Sequence, residues 1–308
     1  MKRIRYMAAL GAMLLLAGCY HEMHEMRPSE YGEDVPVGYI APELRFAPED
    51  GSGIPDGDVI FAVAGAGISF SNSAEDVEQA SDWLQQLPVG EYDLLVTVGM
   101  TEENGYVLSG LPATKAEISL PSVNVMLKSI YESAMEALYG NAHARVDEGG
   151  ITIVPFDLKR LLAIFDVIVT GVPAGTKIEL SVKPVAESVC LTEKDGDGEF
   201  GQPGNALPEP VPLGALVADA AGTMSLTDCR IFPTAGGYER SMLVFTVTLP
   251  DGKVLTCVGD APRMDCGKHY TLNLEYSAFQ AYMYLTSYPI GPWEDGWTIS
   301  GEILNPED

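Results

Sequence analysis

Basic residues are scarce in this chain: 18 Lys and Arg stand against 44 Asp and Glu over 308 residues, a formal charge of −26. Such an excess repels phosphate backbones and anionic lipid. It excludes nucleic acid as a partner, and it excludes a basic patch as the means of holding a membrane. Histidine is nearly missing too. Of four copies, His21 and His24 fall in an irregular N-terminal stretch, which leaves His143 and His269 isolated. No Gly-x-Ser-x-Gly elbow, Cys-His arrangement or phosphate loop accompanies them, so the chain reads as a non-enzyme that needs no cofactor. Carboxylates are so numerous that no glycosidase pair can be singled out. Cysteine is sparse, with five copies. Cys19 closes an apolar leader, and Cys190, Cys229, Cys257 and Cys266 remain. Disulfides and buried free thiols compete for these four, with Cys257 and Cys266 the nearest pair. No second long apolar run follows the leader, so no transmembrane helix is expected.

What is present begins with that leader. Lys2, Arg3 and Arg5 precede an apolar run over residues 7–17, shorter than the roughly 20 residues a spanning helix needs. The run ends in Leu16-Ala17-Gly18-Cys19, which resembles the bacterial lipobox, where the cysteine sulfur receives a diacylglycerol and the peptide is cut just before it. Residues 1–18 therefore read as a lipoprotein signal peptide and Cys19 as the lipidated first residue of an outer-membrane, cell-surface protein. Residues 19–36, rich in Pro, Gly and acid, read as a tether.

Three stretches imitate ligand sites. "HEMHEM" (21–26) places His21 and His24 at helical spacing, but the zinc-protease motif fails in both registers, at Glu25 and at Pro28. "TEKDGDGEFG" (192–201) starts like a calcium loop, yet Phe200 stands where glycine should and Ala206 where the closing Glu should. A solvated acidic turn is favoured. "GAGISF" lacks the third glycine of a dinucleotide fingerprint and the helix–strand alternation that should follow. No metal site is expected.

The remaining texture is strand. "DVIFAVAG" (58–65) and "EYDLLVTVG" (91–99) are short apolar runs between turn residues, as buried strands are. A short helix is predicted over 73–87, with Ser73 as its cap, and a long one over 122–140. In the latter, Met126, Ile130, Ala134 and Ala137 share a face and Gly140 supplies the stop. From residue 151 strands follow one another, with Asp251-Gly252 marking a hairpin. Repeated short strands with Gly/Pro turns imply sandwiches. A boundary near Pro155 divides the chain into domains of 37–155 and 156–308; the proline-rich 201–214 loop is the rival break.

Four stretches then resemble the fimbrillin superfamily of Bacteroides-type bacteria, the major, anchor and tip subunits of type V pili. They are "LPVGEYDLLVTVG" (87–99), "ALYGNAHARV" (137–146), "VPFDLKRLLAIFDVIVTGVP" (154–173) and the ending "YPIGPWEDGWTISGEI" (288–303). In that ending Ile290, Trp293 and Gly296 occupy the family's Ile-x-x-Trp-x-x-Gly positions. The resemblance implies a mainly β fold of two transthyretin-like, Greek-key β-sandwich domains with one helix in the N-terminal domain. It also implies other fimbrial subunits as partners, joined by β-strand complementation, and adhesion to a host or bacterial surface ligand. In stalk subunits an Arg-specific protease removes an N-terminal strand; anchor subunits keep theirs.

Before the first strand only Arg27 and Arg45 could be cut, and Arg27 precedes Pro28. Arg45 lies in "GYIAPELRFAPE", which reads either as a cleavable loop or as a paired first strand. Ile40, Leu44 and Phe46 sit at even spacing and could line one face of an exchangeable strand; Pro36, Pro42 and Pro48 argue instead for a solvated tether. Stalk and anchor roles stay open, with the weight on an anchor or accessory subunit. The rival function is a surface glycan-binding lipoprotein of a polysaccharide-utilisation system, using Tyr282, Tyr284, Tyr288, Trp293 and Trp297 as a platform.

Overall fold

A computed structural model describes residues 31, 34–47, 53–113, 119–132, 134–219, 221–278 and 298–299. The first half carries β1 (Val37–Arg45), β2 (Val59–Gly65), β3 (Ile68–Ala74), α1 (Val77–Ser81), β4 (Gln85–Pro88), β5 (Gly90–Val98), β6 (Tyr106–Ser109), β7 (Asn124–Leu127), β8 (Leu138–Val146), β9 (Ile151–Asp157) and β10 (Lys159–Arg160). The second carries β11 (Ala163–Thr170), β12 (Lys177–Lys183), β13 (Ser188–Lys194), β14 (Phe200–Pro203), β15 (Val211–Ala215), β16 (Val217–Ala218), β17 (Met224–Ile231), β18 (Arg240–Thr248), β19 (Val254–Pro262), β20 (His269–Glu275) and β21 (Thr298–Ile299). Among the described residues the protein is mainly β, with one short α-helix and a 3-10 turn at Tyr276–Ala278.

Five sheets form. A three-stranded sheet, β4-β1-β9, shares an apolar core with the five-stranded β10-β8-β5-β2-β3. A second core lies among β16-β17-β11-β20-β21, β15-β12-β18-β19 and β14-β13-β7-β6. The five-stranded sheet is buried on both faces. Phe61, Leu94 and Val96 enter the first core, while Ala62, Leu95 and Tyr139 on the opposite face enter the second. Two-sided burial explains why "DVIFAVAG" and "DLLVTVG" are continuous apolar runs and not alternating ones. The hairpin β6–β7 leaves the first half and pairs through Val125↔Val189 with β13, so backbone bonds as well as side chains join the halves.

Two sequence expectations are corrected. The long helix over 122–140 does not form: the chain runs as β7, a turn region and the start of β8. Val123 and Val125 are fully buried at alternate positions, the strand period, and pairing with β13 outweighs the helical stripe, whose Met126 is exposed. Gly140 is a strand residue, where a Cβ would press on Leu158 at 3.1 Å. The helix over 73–87 shrinks to α1, capped by Asp76, whose side chain accepts from Gln79 N at 2.7 Å. Ser73 belongs to β3. The two buried strands and the hairpin at Asp251-Gly252 form as expected, as β2, β5 and the β18–β19 turn. "GAGISF" is also a hairpin, with Ala66 and Gly67 both at positive φ between Gly65 and Ile68. No helix among the described residues is long and apolar enough to cross a membrane.

Candidate functional site

The site is β1 and what surrounds it. On one side β1 runs antiparallel to β4 from Val37↔Pro88 to Ile40↔Gln85; on the other it runs parallel to β9 from Tyr39↔Ile151 to Arg45↔Asp157. Tyr39 N donates to Gly150 O at 2.8 Å and Val89 N donates to Pro36 O at 2.9 Å. Odd residues of β1 therefore bond to β9 and even ones face β4. Pro42 is even, and β4 has already ended opposite Ile40, so its missing N–H costs no ladder bond. The proline that suggested a tether is compatible with a strand, and residues 37–45 form one.

Ile40 is 2% exposed in the first core, and Leu44 and Phe46 pack partly buried against the same cluster. All three point to one face, as their even spacing requires. Phe61 organises the floor beneath them: Trp83 stacks on it at 4.4 Å, and Phe156 meets it edge-on at 6.3 Å. On the opposite face Tyr39 is also buried, its hydroxyl accepting from Gln86 Nε2 at 2.8 Å. Sequence reading missed Tyr39 and Gln86. Gln86 gives no signal, because its burial depends on a strand distant in sequence.

Arg45 closes the strand. Its carbonyl accepts from Leu158 N at 2.8 Å, and its guanidinium, half exposed, meets Glu43 at 2.6 Å. Hydrogen bonding to Glu43 raises the Arg45 pKa further above its ordinary value. Just beyond, the Arg160 guanidinium lies 5.5 Å from the Phe46 ring centroid and pairs with Glu136. The Arg45–Phe46 bond thus sits between a laddered carbonyl and a ring held under a cation.

Other candidates fall differently. Cys19, the "HEMHEM" histidines, the ending with Ile290, Trp293 and Gly296, and the aromatic platform at 282–297 lie outside the described residues. Cys190, Cys229 and Cys257 are buried and Cys266 is half-buried, and Cys257 and Cys266 are not bridged to each other. Burial pushes the Cys229 and Cys266 thiols up to about 12. Asp195 accepts from the amides of Asp197 and Glu199, both at 2.9 Å, and these bonds hold its carboxyl below the ordinary range. Its oxygens serve the turn, and no group of three potential metal ligands exists among the described residues. Of the four sequence-derived groups, two lie among the described residues, and β1 and its end carry both: Ile40, Leu44 and Phe46, and Arg45.

The model of the family of fimbrillin-A associated anchor proteins Mfa1 and Mfa2 matches residues 67–295, a span that begins after β1. No curated protein matches in sequence. Among solved structures, the fimbrial anchor protein Mfa2 of Porphyromonas gingivalis is similar at 13% identity, with 70% of this chain and 80% of that one covered and a TM-score of 0.45. The tip fimbrial protein Mfa3 of the same organism, truncated at its C-terminus, is similar at 10% identity, with 77% and 94% covered and a TM-score of 0.40. A Bacteroides thetaiotaomicron protein to which polysaccharide binding has been provisionally ascribed gives 12% identity, 73% and 80% coverage and a TM-score of 0.49.

Proposed function

Because the chain belongs to the family of fimbrillin-A associated anchor proteins Mfa1 and Mfa2, we propose that it is a cell-surface fimbrial subunit of the anchor or accessory kind. In this reading a lipid on Cys19 holds it at the outer membrane, and β-strand complementation joins it to neighbouring subunits and supports adhesion. The family is one of structural anchors, and the chain is a non-catalytic member of it. Division into two transthyretin-like sandwiches, 37–155 and 156–308, belongs to the same proposal. Its support is the first core, whose buried members all lie between Ile40 and Leu158.

The observation that carries the reading is the placement of β1. It is the first strand among the described residues, and it lies between β4 and β9. Its removal would open a groove floored by Phe61 and Phe156 and leave two unpaired edges, which is the receptor that strand complementation needs. Burying a large apolar side chain in such a groove stabilises by about 1.5–3 kcal/mol. The anchor role is favoured over the stalk role because Arg45 is paired through its backbone and its side chain. A protease must open the end of β1 before it can cut there.

Mass spectrometry of the mature N-terminus, taken from native membranes, tests the anchor reading. An acylated Cys19 with residues 19–45 intact is expected; an unlipidated chain beginning at Phe46 would replace the anchor role with a stalk role. A chain starting at residue 48 tests complementation. It should form oligomers that an added peptide of residues 37–47 returns to monomers. A truncated protein that stays monomeric with unchanged stability removes β1 from assembly.

A further inference from the structure

Long open sheet edges invite pairing, and most edges here carry a device against it. β9 has Pro155 at an odd position, where the backbone points away from β1. Along β3, the Ser69 and Ser71 hydroxyls donate to the carbonyls of Ala113 and Pro112, so a loop lies on that edge. β15 and β14 are short, contain proline and have irregular register. Among the described residues β19 has none of these protections. It spans nine residues at the edge of its sheet, pairs with β18 without a register shift, and carries proline only at its last position.

The phase of the hairpin fixes which backbone groups are open. Leu249 N donates to Lys253 O at 2.8 Å, so the odd residues of β19 exchange bonds with β18. The amides and carbonyls of Val254, Thr256, Val258 and Asp260 point to the open edge. Side chains of Val254, Thr256 and Val258 are exposed, and those of Val244, Thr246 and Thr248 on β18 continue the same uncharged, β-branched face. Asp260 is paired with Arg240 at 3.8 Å.

We propose that β19 is a self-association edge, at which a second copy of this chain pairs antiparallel about a two-fold axis through Thr256. The stretch Val254-Leu255-Thr256-Cys257-Val258 is a palindrome on its outward side, Val-x-Thr-x-Val, and an isologous contact requires that self-complementarity. In this register Thr256 faces its counterpart, Val254 faces Val258, Lys253 faces Gly259 and Asp260 faces Gly252. No like charges meet, and the Thr256 pair on the axis is of a kind that stabilises sheets. All bonding residues across the axis are even-numbered, as the open edge demands. The result is one continuous sheet of eight strands, formed at the edge of a sheet to which β1 does not belong. Its failure would leave strand complementation untouched.

The register gives the test. Thr256→Asp and Thr256→Lys each place like charges across the axis while altering an exposed side chain, so melting temperatures should stay near that of the parent. Sedimentation equilibrium should show a reversible dimer for the parent protein. Each variant alone should dimerise about tenfold more weakly, and a mixture of the two should recover the dimer through Asp–Lys pairs. Higher salt should strengthen the parent dimer, because the −26 charge of each copy is screened. A parent protein that is monomeric at its highest soluble concentration overturns the proposal. So does a dimer indifferent to both variants, or a mixture that stays monomeric. Amide exchange gives a separate reading: Thr256 and Val258 should exchange quickly in dilute protein and slowly in concentrated protein. Protection in the dilute monomer would mean the chain covers this edge itself, which also overturns the proposal.

Discussion

The β18–β19 hairpin and the β1–β9 pair are ladders of similar length with opposite origins. In the hairpin, nine residue pairs from Arg240↔Pro262 to Thr248↔Val254 close over a single turn. In the other, seven pairs join the first strand to a partner that follows seven further strands and a helix in sequence. Local antiparallel pairs form early at little entropic cost, whereas a distant parallel pair forms only after the intervening chain has been organised. β1 is thus first in the chain and late to join. Release of β1 alone would break its ladders to β4 and β9 and leave those of the other four sheets in place.

That asymmetry can be broken by mutation. Ile40→Ala should destabilise the protein by about 2–5 kcal/mol, read by urea unfolding, and should speed Arg-specific cleavage after Arg45 under native conditions. Leu243→Ala, equally buried but in the hairpin, should cost a similar amount without exposing Arg45. Equal acceleration by both variants would show that β1 leaves only on global unfolding. Arg160→Ala comes next, at about 1–3 kcal/mol, since it uncovers Phe46 and leaves the half-buried Glu136 without its cation. If its stability is unchanged, Arg160 does not hold the end of β1.

Smaller effects sharpen the contrast. His143 on β8 bonds to Asp93 at 2.9 Å and to Glu91 at 3.0 Å, and the bond to Asp93, more than that to Glu91, raises its pKa above the ordinary 6.5. A raised pKa stabilises the fold fully below 6.5, and the contribution fades as pH climbs through the raised value. The imidazole is mostly exposed, so the effect on stability should be small. NMR titration of His143 should give a midpoint above 6.5 that falls in Asp93→Asn; a midpoint at or below 6.5 contradicts this. Last, Cys190 and Cys229 should resist alkylation in native protein and react together on unfolding. Rapid native labelling would place them in looser regions than their burial implies.

Much of this was legible beforehand, for specific reasons. β2, β5, β11, β12, β18 and β20 are apolar segments bounded by turn residues, and such segments declare themselves. The even spacing of Ile40, Leu44 and Phe46 marked the buried face of β1, because strand geometry alone fixes which side chains share a side. What misled was local preference read without its partners. Residues 122–140 are good helix formers, but Val123 and Val125 had a sheet waiting for them in β13. Pro42 looked like a tether residue because only the end of β4 shows that its missing amide is harmless.

The sequence by itself determined the acidic charge, the strand-rich class, the absence of catalytic motifs and the resemblance to fimbrial subunits. These depend on composition and on periodicities that every residue carries with it. Only the tertiary structure decided that residues 37–45 are a paired strand, that β6–β7 crosses to the second half, and that β19 ends its sheet among the described strands. Each of these is a property of a pair of segments. A backbone amide finds its partner through the closure of the whole chain, and no stretch of sequence records which distant carbonyl will be there.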